Sequence, residues 1–173
     1  MKRILFFISL AFAAACASEV HQSDVLNVIP YPNEVQVGEG TFNAKGAAVT
    51  YSESLDEATV NVIKAFAGQL AAISGAESVV TAGTAETGFV FAYNEAVPAE
   101  AYTLDVKADV VRVEASGLRG FNYAIQTIKQ LLPVQIFGNE PAPKASWTMQ
   151  CVNISDAPRF GYRGTMLDVS RHF

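Results

Sequence analysis

The residues best suited to chemistry gather near the end of the chain, in PRFGYRGTMLDVSRHF, where Arg159, Arg163, Asp168, Arg171 and His172 surround an apolar run of Met166, Leu167 and Val169. A guanidinium holds several N–H donors in one rigid plane, so it can grip two neighbouring acceptors that a lysine would hold loosely. Arg171 stands just past the apolar core TMLDV, a place that suits either such a grip or a surface salt bridge. Arg163 and Asp168 flank the same run and are expected to form structural ion pairs, as are Asp156 and Arg159 just upstream. His172 is expected to pack beside a strand end.

The remaining candidates carry less chemistry. Cys151 lies in the apolar stretch TMQCVNI with no second cysteine or histidine nearby, which suits a small buried hydrophobe rather than a nucleophile. The adjacent acids Asp56 and Glu57 fall where a helix begins, so they are excluded as a catalytic pair. His21 carries no signal. No histidine, cysteine or carboxylate cluster has ligand spacing, so neither a metal nor an organic cofactor is implied.

The elements that must position these residues alternate in type. VIPYPNEVQVGEG predicts a short strand with a tight reversal at Gly38 and Gly40, and AAVTYS a second strand. Ser54 and Glu57 form a capping box that opens a helix. Along it Thr59, Ile63, Phe66, Leu70 and Ile73 recur at helical spacing on a buried face, Asn61, Lys64 and Gln69 meet water, and Gly75 supplies a left-handed stop. Four β-rich runs follow, ESVVTA, TGFVFAYN, AYTLDVKAD and VVRVEAS, the last two forming a hairpin across Lys107, Ala108 and Asp109. A second helix, GFNYAIQTIKQLL, buries Phe121, Ala124, Ile125, Ile128 and Leu132 and stops at Pro133. ASWTMQCVNISDAPRFGYRG is a strand followed by a proline-containing turn. Two one-sided helices and strands joined mostly by hairpins predict an α+β layer, with an antiparallel or mixed sheet and both helices on one face. Residues 163–173 stand apart as a strand whose apolar side chains need a partner.

The opening segment MKRILFFISLAFAAAC has two basic residues, an apolar run from Ile4 to Phe12, and small residues after it, the layout of a bacterial secretory signal. The run is shorter than the roughly 20 residues a spanning helix needs. Cleavage after Ala-x-Ala competes with lipid attachment at Cys16, and the polar tether ASEVHQSD that follows favours the lipid. An exported chain, in the periplasm or on the outer membrane with anchoring through a lipidated Cys16, is therefore expected. With Cys16 lipidated or removed, Cys151 has no disulfide partner. The chain of 173 residues has a net charge of −5, which gives no footprint for nucleic acid.

Taken together, these runs resemble glycoside hydrolase family 20, the β-N-acetylhexosaminidases. The resemblance rests on PRFGYRGTMLDVSRHF at the junction between a small α+β domain and a (β/α)8 barrel, on the opening VIPYPNEVQVGEG, and on EAYTLDVKADVVRVEASGLRGFNYAIQTIKQLLP. It implies a division into a signal and tether over residues 1–23, an N-terminal α+β domain over 24–157, and the start of a truncated catalytic barrel over 158–173. It also implies that Arg171 matches the arginine that holds hydroxyls of the terminal sugar, in keeping with ligands gathering at the C-terminal ends of barrel strands.

The family retains configuration by substrate-assisted catalysis, with an Asp-Glu pair later in the barrel orienting the acetamido group and protonating the leaving oxygen. No such pair follows residue 156 here. The resemblance thus implies a fragment of an exported exo-β-N-acetylhexosaminidase acting on terminal N-acetylglucosamine or N-acetylgalactosamine, inactive as it stands. A lipid-anchored module that binds glycans or a partner without cleaving is the alternative, and an inert product of a broken gene would have the same sequence as the fragment.

Overall fold

A computed structural model describes residues 26–167 of the chain. Seven strands form one sheet in the order β1-β7-β5-β6-β4-β2-β3. They are β1 (Glu34–Asn43), β2 (Val49–Tyr51), β3 (Val80–Ala82), β4 (Gly88–Tyr93), β5 (Tyr102–Val106), β6 (Val110–Ala115) and β7 (Thr148–Asp156). From β1 to β6 the neighbours run antiparallel, and from β6 to β3 they run parallel. The sheet is mixed, and hairpins account for less of it than the sequence suggested. Only β5 and β6 join directly as one, closed by Lys107 N–H donating to the Val110 carbonyl at 2.8 Å. β3 and β4 instead lie on opposite sides of β2.

Helix α1 (Glu57–Ser74) makes the crossover between the parallel strands β2 and β3, and α2 (Leu118–Leu131) follows β6. Thr59, Ile63, Phe66, Leu70 and Ile73 are all buried on α1, and Phe121, Ala124, Ile125 and Ile128 on α2. These stripes share one core with the alternate residues Tyr102, Leu104 and Val106 of β5 and Val111, Val113 and Ala115 of β6. Rings bind the layers together: Phe66 meets Phe89 edge-on at 5.4 Å, and Phe91 meets Phe121 at 6.2 Å. Such offset pairs add to what burial of the rings alone provides. Trp147, which is 2% exposed, closes one end by donating its indole N–H to the Ala142 carbonyl at 3.0 Å.

Several local expectations are corrected. The cap of α1 is Asp56, not Ser54: Asp56 accepts from Thr59 N–H at 2.9 Å and from the Thr59 hydroxyl at 2.9 Å. Both residues are good caps, and the threonine three positions on gives Asp56 two donors at once. Gly38 and Gly40 do not reverse the chain. They sit in an irregularity of β1, between the pairs Val37↔Val152 and Thr41↔Gln150, where three residues oppose Cys151 alone. Gly40 takes φ +91°, a conformation that residues with a Cβ rarely adopt, whereas a Cβ on Gly38 would only touch the Cys151 Cβ at 3.4 Å. Gln69 is half-buried, with its side-chain N–H on the Ile136 carbonyl at 2.8 Å, instead of facing water. Finally, residues 163–167, the described part of the expected barrel strand, form no strand, and Met166 is 95% exposed.

Candidate functional site

The chain enters the sheet through residues 26–33 and leaves it through residues 157–163, and both segments lie at one corner beside α2. β1 and β7 are neighbours, so Asn33 and Asp156 meet: Asn33 N–H donates to the Asp156 carboxylate at 3.0 Å, and the Asn33 amide donates to the Ala157 carbonyl at 2.8 Å. Arg159 completes the stitch, its Nε–H donating to Asn33 Oδ1 at 3.0 Å. The Gln130 side chain of α2 clasps the backbone of Ile29 from both sides, accepting from its N–H at 2.9 Å and donating to its carbonyl at 3.0 Å.

Between these segments opens a cleft of about 610 Å³, walled by Tyr31, Tyr123, Gln126, Gln130, Phe160 and Arg163 among others. Tyr102 lies at its base. Its hydroxyl shares a hydrogen with Thr127 Oγ1 at 2.7 Å and reaches the Asp156 carboxylate at 3.5 Å. Burial pushes the Tyr102 phenol up to about 12, so it stays a neutral hydrogen-bonding group. Among the described residues, Asp156 is the sole carboxylate lining the cleft. A single acid beside a neutral phenol offers polar contacts and an apolar floor, but no pair for general acid and base work.

Beside the cleft, Glu100 gathers two arginines. Arg119 of α2 donates to Glu100 Oε1 at 2.6 Å, and Arg163 donates to Oε2 at 3.0 Å and to the Tyr123 hydroxyl at 3.2 Å. These bonds, that from Arg163 foremost, hold the Glu100 carboxyl below the usual carboxylate range.

The residues singled out from sequence divide into those the structure places and those it does not. Asp156, Arg159 and Arg163 come together at the corner as polar pins. Cys151 is buried and free, and burial pushes its thiol up, away from nucleophilic character. Asp56 and Glu57 belong to the start of α1, as expected. Arg171, the expected sugar-binding residue, lies outside the described residues, as do Asp168, His172, His21 and the expected lipidation site Cys16. Among the described residues, no group of three or more histidine, cysteine or carboxylate side chains is placed to hold a metal ion. Sequence reading missed Glu100, Tyr102, Tyr123 and Gln130. Their partners lie 19 to 101 residues away, and no local spacing betrays them.

A family model described as glycosyl hydrolase family 20, domain 2, matches residues 25–157. The chain belongs to glycosyl hydrolase family 20. Among its curated relatives in the family, beta-hexosaminidase subunit A1 of Dictyostelium discoideum is 28% identical over 185 residues, which take in 100% of this chain and 31% of that protein. The N,N'-diacetylchitobiase of Vibrio harveyi is 29% identical over 84% of this chain and 15% of its own length. Among solved structures, the GH20 beta-N-acetylhexosaminidase of Streptomyces coelicolor A3(2) superposes with a TM-score of 0.74 at 27% identity, covering 84% of this chain and 29% of that one. The family-20 chain therefore spans less than a third of each of these relatives, and its mixed sheet with two helices is a fold it shares with the Streptomyces structure.

Proposed function

We propose that this chain is the N-terminal sheet domain of an exported exo-β-N-acetylhexosaminidase, which removes terminal β-linked N-acetylglucosamine or N-acetylgalactosamine from glycans by substrate-assisted, retaining hydrolysis. The observation that carries the reading is the family match over residues 25–157, joined to relatives of greater length that bear the name beta-hexosaminidase. Residues 158–173 are the approach to the catalytic barrel. Arg171 is the sugar-binding residue they contribute, its planar donors gripping neighbouring hydroxyls. The chemistry belongs to an Asp-Glu pair that this sequence does not contain after residue 156. The 173-residue chain is accordingly inactive, and Cys16, if lipidated, anchors the exported protein to the membrane.

Two measurements test the reading. The purified 173-residue chain, assayed with a chromogenic N-acetylglucosaminide, gives no turnover, and activity that survives stringent purification overturns the inactivity. The nucleotide sequence downstream of the Phe173 codon continues in frame through βα units to an adjacent Asp-Glu pair. A stop followed by unrelated sequence would overturn the assignment of a longer enzyme and favour a non-catalytic binding module.

A further inference from the structure

We infer that Glu100 is a positioning residue, which through Arg163 sets the direction in which the polypeptide leaves the sheet domain. This goes beyond the hydrolase reading and does not depend on it. After β7 the segment has little apolar contact to hold it: Phe160 is 73% exposed and Tyr162 is 91% exposed. What fixes it is polar. Arg159 pins its first residues to Asn33, and the next anchor is Arg163, whose guanidinium reaches Glu100, the Tyr123 hydroxyl and the Phe160 carbonyl.

The Glu100 carboxylate is built for this grip in a way an ordinary surface ion pair is not. Arg119 and Tyr123 stand one turn apart on α2, so the helix presents a cation to one carboxylate oxygen and a phenol to the arginine that binds the other. The Glu100 side chain is 23% exposed against 74% for Arg119. Its backbone has φ +67°, and among the described residues it is the one non-glycine in the left-handed region. Residues with a Cβ avoid that conformation, and here it turns the carboxylate toward α2 and the departing segment. Isolated exposed pairs often contribute nothing, whereas a shared carboxylate with several charge-assisted bonds restricts geometry.

The test uses the full chain with nitroxide labels at Lys64→Cys on α1 and Thr165→Cys beyond the clasp, in a background carrying Cys16→Ser and Cys151→Ala. Pulsed electron resonance then gives one narrow distance distribution. Glu100→Gln and Arg163→Gln each broaden it, Arg163→Lys broadens it by an intermediate amount, and the double variant broadens it no further than either single one. Throughout, the thermal midpoint read from Trp147 fluorescence stays that of the parent. A narrow peak surviving in both single variants would overturn the inference. So would additive broadening, or broadening that appears only together with a lowered midpoint, since that would mark general loosening of the domain.

Discussion

Two glycines in the helices give the sharpest test of how this domain is packed, because the same substitution should act with opposite sign at each. A Cβ on Gly120 would lie 2.3 Å from the Ala101 carbonyl oxygen and 2.9 Å from the Ala115 Cβ. The obstacle is backbone at the start of β5, so α2 must retreat by roughly 1 Å to regain ordinary contact. Overpacking of this kind costs about 1–3 kcal/mol, and a backbone obstacle points to the upper end. Replacing glycine within a helix returns about 1 kcal/mol. Gly120→Ala should therefore destabilise by ~2 kcal/mol.

At Gly68 of α1 an added Cβ meets nothing within 4 Å, so only the propensity gain of about 1 kcal/mol remains. In a domain of this size each kcal/mol moves the thermal midpoint by roughly 3 °C. Followed by the fluorescence of the single tryptophan, Trp147, Gly120→Ala should melt about 6 °C below the parent and Gly68→Ala about 3 °C above it. Equal shifts for the two variants would refute the reasoning, because the contact beneath α2 would then carry no energetic weight.

The other expectations concern protons and a thiol. Tyr102 ionises at about 12 in the fold, above its unfolded value, so the folded state holds its proton more tightly and stability falls as pH rises through about 10 to 12. Urea unfolding at high pH should show up to ~3 kcal/mol of this loss in the parent and a smaller loss in Tyr102→Phe. The Asp56 carboxyl is held below its ordinary value by the Thr59 N–H, so the stability it adds is present above the unfolded carboxylate value and disappears as pH falls through the folded one. Asp56→Ala should lower the melting midpoint at neutral pH and Asp56→Asn should lower it less, and in acid the advantage of the parent over Asp56→Asn should disappear while Asp56→Ala stays below both. Cys151, buried and with its thiol pushed up, should resist alkylation in the native protein and react fully in denaturant, as read by mass spectrometry of its peptide.

The legible parts of this fold are those written in local periodicity. The stripe from Thr59 to Ile73, the stop at Gly75 with its φ of +69°, and the β5–β6 hairpin could be read because partners in a helix or hairpin are close in sequence. The parallel half could not. In β4 the neighbours Phe89, Val90 and Phe91 are all buried, so no alternation marks a face, and the strand's partners come from β2 and β6 far along the chain. Glycines misled for a related reason: a bulge and a tight turn ask for the same residue, and only the position of Cys151 across the ladder separates them at Gly38. The corner cleft escaped entirely. Ile29 and Gln130 are joined across 101 residues, and Glu100 and Arg163 across 63, so the site exists only once the sheet has brought its two ends together.

That meeting of Asn33 with Asp156 has a consequence for the life of the gene. Incoming and outgoing segments pass through the same doorway, with most of the domain looped between them. A unit hinged in this manner can be cut out, transplanted or exchanged by joining two nearby ends, without stretching whatever lies outside it. Replacing residues 34–156 with a short flexible bridge is the corresponding protein-engineering experiment.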